Sequence, residues 1–215
     1  MFWDFIKHLV FPLNETSDVY IFIKELFNQT NFRREGRPAT INSIFGLNDL
    51  TAMTSTSDSY ELLWHGTSGD KLHGILSEGL KMQASPRNGR CLGEGIYFTD
   101  CAAYAIQSAV GIGCEFDLTN AWLFLALVRV PREGMPVICN RGLLYAEGNN
   151  EAAASSRLTK FAGRLDLPRR YSIDNIQVRC PPFVETTTDM DVTTHNEYLV
   201  CDESLIELTI LVKLA

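Results

Sequence analysis

The chain has 215 residues, 46% of them hydrophobic, so it can bury the core of one ordinary globular domain or of one domain with a small appendage. Its formal charge of −7 at pH 7 leaves no broad basic field to hold a nucleic-acid backbone. We therefore do not expect nucleic acid to be a regular partner, since binding it would need a local basic patch that the net charge does not reveal.

Six cysteines are spread along the chain without the spacing of metal ligands. None forms a C-x-x-C pair or has a histidine at zinc-ligand spacing, so we expect no metal site. Several lie in apolar runs, where a thiol packs as a small hydrophobic group, and this favours an intracellular compartment, cytoplasm or nucleus. The apolar start of the chain carries Asp4 and Lys7 and lacks a small-residue cleavage site, so it is not typical of a signal peptide. No apolar run is long enough to span a bilayer.

Two short amphipathic helices are predicted within residues 1–30, separated near Pro12, with Ser17 as the cap of the second helix. Residues 28–59 are polar and include a Thr/Ser-rich run, which indicates a linker or loose loop. We therefore predict that residues 1–59 are a helical segment and polar linker packed on the core, and that residues 60–215 are the main domain.

The main domain begins with Leu62-Leu63-Trp64-His65, which is typical of a buried strand. A helix is predicted next, with Asp70 as its cap and Gly79 as its stop. A short strand at residues 96–98 then precedes a helix from about residue 101 to residue 110.

The second half of the chain is richer in strands. Residues 122–130 are almost continuously apolar, which predicts a central strand covered on both faces. Residues 206–214 alternate with period two, which predicts a strand with one buried face. Because few helices separate the strands, we expect an α+β fold with mixed or mostly antiparallel sheets.

Three short motifs carry the chemistry, each at the end of a strand-like run. They are Trp64-His65-Gly66-Thr67-Ser68, Gly93-Glu94-Gly95-Ile96-Tyr97-Phe98 and Asn196-Glu197-Tyr198-Leu199-Val200. Together they resemble the His-Tyr-Glu signature of the poly(ADP-ribose) polymerase (PARP) family of ADP-ribosyltransferases, over roughly residues 60–214. The resemblance implies an ADP-ribosyltransferase fold, with two packed, mostly antiparallel or mixed β-sheets around an NAD cleft and flanking helices. It also implies that residues 60–215 are the catalytic domain and that NAD⁺ is the substrate.

The resemblance also implies a role for each motif residue. His65 would bond a hydroxyl of the adenosine ribose, Gly66 would hold the nicotinamide amide, and the ring of Tyr97 would lie against the nicotinamide. Glu197 would bond the 2′-hydroxyl of the nicotinamide ribose and stabilise the positive charge that develops as the glycosidic bond breaks. Without the other motifs, His65 would be read as a satisfied strand-end histidine. Thr67 and Ser68, which follow Gly66 in the first motif, are also predicted to bind NAD⁺.

The helix after Tyr97 departs from the family pattern. Where the family has a serine and then a tyrosine to hold the nicotinamide, an ungapped comparison gives Ala105 and Ser108. Tyr104 could stack instead if the helix is shifted, with Cys101 in place of the serine. Without the shift, the site loses one hydrogen bond, worth about 0.5–1.5 kcal/mol net, and one stacking wall.

Arg87 and Arg90 lie where the family's donor loop covers NAD. A pyrophosphate is a dianion, so in an acidic protein these arginines are candidates for its local counter-charge. A solvated turn is an equally good interpretation of two arginines in a Gly/Asn/Pro segment.

Three classes of function follow from these motifs. The leading hypothesis is an enzyme that transfers ADP-ribose from NAD⁺ to protein side chains, its own among them, one unit per acceptor. The choice of a single unit rests on the minimal chain. The alternatives are a catalytically weak module that binds NAD⁺ or a partner, and ADP-ribosylation of nucleic-acid ends or a related phosphate transfer from RNA.

Overall fold

A computed structural model describes residues 9–31, 39–47, 59–82, 95–110, 118–130, 137–140, 169–173, 176–180, 196–200 and 202–215. At residues 59, 130, 137–140, 169–173, 176–180, 196, 197 and 199 only the backbone is described. Within these ranges the three helices are α1 (Asp18–Thr30), α2 (Gly69–Glu78) and α3 (Ala102–Val110). The strands are β1 (Phe11–Pro12), β2 (Ile41–Gly46), β3 (Ser59–Ser68), β4 (Ile96–Thr99), β5 (Ala121–Val130), β6 (Val137–Asn140), β7 (Arg169–Ile173), β8 (Ile176–Cys180), β9 (Asn196–Val200) and β10 (Ile206–Leu214).

Eight strands form one sheet in the order β1-β2-β10-β5-β3-β4-β9-β6, and β7 and β8 form a two-stranded sheet that contacts β3. Every pairing among the described strands is antiparallel. The predicted α+β class with antiparallel sheets is therefore confirmed. The apolar strand β5 lies between β10 and β3 and is buried from Ala121 to Val128, as its composition predicted.

The large sheet is weakest at the junction of β3 with β4. β3 pairs with β5 along its whole length, from Ser59 to Ser68, whereas it pairs with β4 only through Trp64 and Thr99. A five-stranded part and a three-stranded part are thus joined at one residue pair. The motif that begins at Trp64 continues along β3 beyond this pair, where the two strands separate.

The helices cover both faces of the sheet. α1 and α3 pack together on one face, and α2 packs on the other. α1 begins after Ser17, whose hydroxyl accepts the Tyr20 N–H at 3.2 Å, so the predicted cap is confirmed. The ring of Phe27 on α1 meets Trp64 of β3 edge-on, with 6.2 Å between ring centroids. No helix in the described ranges is long and apolar enough to cross a membrane.

The linker prediction for residues 28–59 is wrong where residues 41–46 form β2. This strand pairs with β1 on one side and β10 on the other. Main-chain hydrogen bonds hold it in the sheet, so it tolerates polar side chains on its open face and buries only Ile44 and Gly46. The first predicted helix falls largely on residues 1–8, outside the described ranges, and the domain boundary at residue 59 stays a prediction.

The structure corrects the predicted start of α2 and confirms its predicted end. Ser68, not Asp70, occupies the cap position of α2, and Asp70 lies in the first turn, where the helix dipole still favours a carboxylate. The predicted stop is confirmed, since Gly79 has φ 79° and its N–H donates to the Ile75 carbonyl at 2.9 Å.

β10 is a strand as predicted, but both of its faces are buried at its centre, from Thr209 to Val212. The reason is its position between β2 and β5, with helices packed over both faces. Thr209 is accommodated there because its hydroxyl donates to the Leu125 carbonyl of β5 at 2.9 Å.

Candidate active site

A cleft of about 480 Å³ opens where β3 and β4 separate. The end of β3, one face of α2 and the start of β4 form its walls. Four residues of the predicted site line it, and they come from two of the three motifs: His65, Gly66, Thr67 and Tyr97.

A hydrogen bond joins the first two motifs at the edge of this cleft. The Nδ1 atom of His65 lies 2.9 Å from the Tyr97 carbonyl oxygen. A carbonyl can only accept, so Nδ1 carries the proton and donates. In a neutral ring, Nε2 is then the acceptor, which suits it to receive a hydrogen bond from a hydroxyl group.

The surroundings of His65 favour this neutral form. Desolvation of the ring lowers its pKa from the ordinary value of 6.5. The bond to Tyr97 opposes that shift, and the charge of Lys71 adds to it. Phe98 contributes to the apolar surroundings, with its ring centroid 5.5 Å from that of the imidazole. His65 is therefore uncharged near neutral pH.

Gly66 lies against the backbone of α3. A Cβ atom built on Gly66 would overlap the carbonyl oxygen of Ala105 and lie 2.7 Å from its carbonyl carbon and 3.2 Å from the Ala109 nitrogen. The family resemblance gave one reason for this residue, which is that Gly66 would hold the nicotinamide amide. The structure adds a second reason, which is that a helix crosses β3 too closely for any side chain.

Glu197 is described by its backbone alone. Along β9, Glu197 pairs with Thr99 of β4, and Leu199 pairs with Tyr97. Thr99 in turn pairs with Trp64, the residue before His65. The third motif therefore runs beside the second, on the strand next to it, and the catalytic role of Glu197 stays a prediction.

Four further predicted residues whose side chains the structure describes do not line this cleft. Ser68 is hydrogen-bonded to Asp70 and lowers the pKa of that carboxyl. The side chain of Ala105 is in the core at 1% exposure. Ser108 donates to the carbonyl of Tyr104 in its own helix at 3.2 Å, and Tyr104 is partly exposed. Their place in the predicted NAD-binding set stays a prediction, and Arg87 and Arg90 lie outside the described residues.

Sequence analysis missed the wall that α2 contributes. Asp70, Lys71 and Glu78 all line the cleft, so both signs of charge are present. The signal was available, because Asp70, Gly74 and Glu78 follow one another at intervals of four residues, on one face of a helix. Among the described residues, no three His, Cys, Asp or Glu side chains are grouped as metal ligands could be.

The segment after α2 is fixed to the far end of the chain. Both carboxylate oxygens of Glu203 are used, one accepting from the Met82 N–H at 2.7 Å and the other from Lys81 Nζ at 3.0 Å. These contacts lower the pKa of Glu203, with the Met82 bond as the main cause. Lys81 lines the cleft, so this tie holds one corner of it.

Comparison with known proteins places this chain in a family. The family model of the poly(ADP-ribose) polymerase catalytic domain matches residues 17–215, which is nearly the whole chain. The chain belongs to the PARP catalytic-domain family. The resemblance inferred from the motifs is thereby confirmed, and the ADP-ribosyltransferase fold with it. Because the match starts at the cap of α1, it includes α1 and β2 as well as the predicted main domain.

Individual PARP relatives are distant. The chain is 24% identical over 224 residues to poly [ADP-ribose] polymerase 1 of Caenorhabditis elegans, a match that covers 97% of this chain and 22% of that protein. It is 32% identical over 124 residues to poly [ADP-ribose] polymerase 2-B of Oryza sativa subsp. japonica, with 50% and 20% covered. For poly [ADP-ribose] polymerase 1 of Gallus gallus the identity is 24% over 171 residues, with 72% and 15% covered. The chain thus spans about a fifth of the length of these relatives, or less.

Proposed function

We propose that this PARP-family domain cleaves NAD⁺ at the bond between nicotinamide and ribose and transfers the ADP-ribose to a protein side chain, one unit per acceptor. Family membership supports the reaction type. The observation that carries the proposal is the bond between His65 and Tyr97, which brings two motifs distant in sequence to one cleft edge.

In the proposed reaction, the C–N bond breaks and its electron pair goes to the nicotinamide nitrogen. The ribose is left as an oxocarbenium ion, as in glycoside hydrolysis. The acceptor side chain then forms a bond to the same carbon and loses its proton. A residue that favours the reaction must stabilise this positive charge more than it stabilises bound NAD⁺.

His65 and Tyr97 would hold the two halves of NAD⁺. The Nε2 atom of His65 can accept from a hydroxyl of the adenosine ribose, since Nδ1 already donates to Tyr97. The ring of Tyr97 would lie against the cationic pyridinium, a contact worth about 0.5–2 kcal/mol depending on desolvation. Glu197 would supply the carboxylate beside the reacting ribose.

Lys71 adds a described counter-charge for the pyrophosphate. It lines the cleft on the first turn of α2 and is close enough to His65 to affect its pKa. Within the proposal, Lys71 binds the dianionic pyrophosphate, with Arg87 and Arg90 as further candidates.

Substitution of Glu197 tests the reaction. We expect Glu197→Ala to reduce nicotinamide release from NAD⁺ by about 100-fold or more, as for loss of a group that stabilises transition-state charge. Glu207→Ala on β10 is the matched control and should retain the wild-type rate. Release that is unaltered in Glu197→Ala would refute the assigned mechanism.

The number of units and the acceptor need a separate measurement. Mass spectrometry of the protein and of candidate acceptors after incubation with NAD⁺ should show single ADP-ribose additions on side chains. Long ladders of product from labelled NAD⁺ would refute transfer of one unit, and modification of oligonucleotides but not of proteins would refute the protein acceptor.

A second candidate is a catalytically weak module that binds NAD⁺. It is favoured by the core position of Ala105 and by the hydroxyl of Ser108, which is bonded within its own helix. Wild-type protein that binds NAD⁺ in calorimetry but releases no nicotinamide would support this candidate over the enzyme.

A further inference from the structure

We propose that α1 is a positioning element of the donor site and that Thr30, its last residue, holds α3 where α3 packs against Gly66. Thr30 is a positioning residue, because it acts through α3 and not by touching NAD⁺. The inference rests on the proposed function in so far as its effect is read from NAD⁺ turnover.

Thr30 joins the end of α1 to the start of α3. Its side chain is buried, at 3% exposure. The hydroxyl donates to the Leu26 carbonyl at 3.0 Å and accepts from the Ala102 N–H at 3.1 Å. Its carbonyl oxygen accepts from the thiol of Cys101 at 3.3 Å. Thr30 is thus hydrogen-bonded both to the first residue of α3, Ala102, and to the residue before it, Cys101.

These bonds satisfy a need of the helix. The first N–H groups of any α-helix have no partner within it and must find one elsewhere. Ala102 is the first residue of α3, and Thr30 supplies the acceptor for its N–H. Burial raises the pKa of the Cys101 thiol to about 12, so it keeps its proton and can donate to Thr30.

A second anchor comes from β4. The N–H of Cys101 donates to the hydroxyl of Thr99 at 3.1 Å. Thr99 is also the residue that pairs β4 with Trp64 of β3. The start of α3 is therefore held between β4, which carries Tyr97, and α1, which lies outside the three motifs.

The position of α3 is transmitted to the site by contact between backbones. One turn after Ala102, the carbonyl group of Ala105 lies against Gly66 so closely that no Cβ fits between them. Because this is a contact between the backbones of Gly66 and Ala105, no flexible side chain can move aside when α3 is displaced. A shift of α3 would therefore change the space beside Gly66 and next to His65.

The test compares two buried threonines of this chain. Thr30→Val keeps the shape and removes the hydroxyl, and we expect it to raise the KM for NAD⁺ by about three- to tenfold, the effect of one lost hydrogen bond, with kcat changed less than about twofold. Thr30→Ser keeps the hydroxyl and should restore the KM. Thr209→Val removes a hydroxyl that is as deeply buried but bonded to Leu125, and should lower stability without changing the KM.

A KM that is unchanged in Thr30→Val, or equally raised in Thr209→Val, would overturn the proposal. If Thr30→Val does not fold, Cys101→Ala replaces it, since it removes the other bond to Thr30 and should raise the KM in the same direction. If the wild type does not cleave NAD⁺, the proposed function is refuted. Hydrogen exchange then tests the positioning role of Thr30 independently of NAD⁺ turnover. Faster exchange at residues 64–66 and 102–105 in Thr30→Val, but not in Thr209→Val, would support it, and unchanged exchange would overturn it.

Discussion

His65 and Gly66 are neighbours with different tasks. His65 is bonded to Tyr97 and lines the cleft, whereas Gly66 also accommodates a helix behind the strand. The motif predicted that both residues would belong to the site. It could not predict the contact of Gly66 with Ala105, because one sequence does not show which helix crosses which strand.

The contact at Gly66 predicts opposite effects for one kind of substitution. Gly66→Ala should destabilise the fold by about 1–3 kcal/mol, because its Cβ would overlap the backbone of α3. Gly74→Ala should stabilise it by about 0.5–1 kcal/mol, because a Cβ there meets nothing within 4 Å and alanine favours the helix. Urea denaturation of both variants measures the two changes. Equal changes at the two positions would contradict the packing described for Gly66.

The lowered pKa of His65 predicts a dependence of stability on pH. Below its ordinary value of 6.5, the unfolded chain takes up a proton that the folded chain resists, so the free energy of unfolding should decrease as the pH falls from there. His65→Asn should remove this part of the dependence, and His73→Asn on the exposed side of α2 should retain it. Denaturation at about pH 7.5 and about pH 5.5 provides the comparison. If the free energy of unfolding decreased equally between these two pH values in wild type and in His65→Asn, the lowered pKa of His65 would be contradicted.

At the scale of elements, the strands and helices that could be predicted are those whose burial is reflected in the spacing or composition of their hydrophobic residues. The strand at Ile96–Thr99, the helix after it and the apolar β5 were evident because their composition or spacing reflects how they are buried. β2 was not evident, because its main chain, and not its side chains, holds it in the sheet. The cleft wall from α2 was not evident, because a charged helix face is typical of a solvent-exposed surface and does not show which cleft it lines.

The hydrogen bonds that Glu203 accepts from residues 81 and 82 act only on the local structure. We expect Glu203→Ala to speed hydrogen exchange at Met82 several-fold while the melting temperature stays unchanged, because an exposed ion pair adds little global stability. The lowered pKa means that the tie persists at the ordinary carboxyl value of 4.5 and is lost only at lower pH. Glu207→Ala is the control. A large loss of melting temperature would show that the tie supports more than this corner of the cleft.

At the scale of the whole molecule, the candidate site lies where the sheet is least continuous. The five-stranded part is extensively paired, and the three-stranded part is joined to it through Trp64 and Thr99. The order of the predicted strands and helices indicated the class of fold, and the motifs predicted the family. The strand order was not predictable, since antiparallel pairing between strands distant in sequence leaves no mark on either strand alone.

This junction predicts two levels of stability in one fold. Amides of β3, β5 and β10 should exchange only on global unfolding, whereas those of β4 and β9 should exchange through a smaller opening. Native-state hydrogen exchange at increasing denaturant concentration separates the two. If the amides of all five strands exchanged with the same free energy of opening, the five-stranded and three-stranded parts would unfold together despite being joined at one residue pair.

The central place of β10 has a consequence for biosynthesis. β10 separates β2 from β5, although it follows both of them in the chain. A ribosome therefore exposes the apolar β5 long before the strand that covers its edge has been made. Until residues 206–214 emerge, the nascent chain carries an open, hydrophobic strand edge of the kind that attracts other chains. We expect this chain to depend on chaperones during translation until β10 has been made.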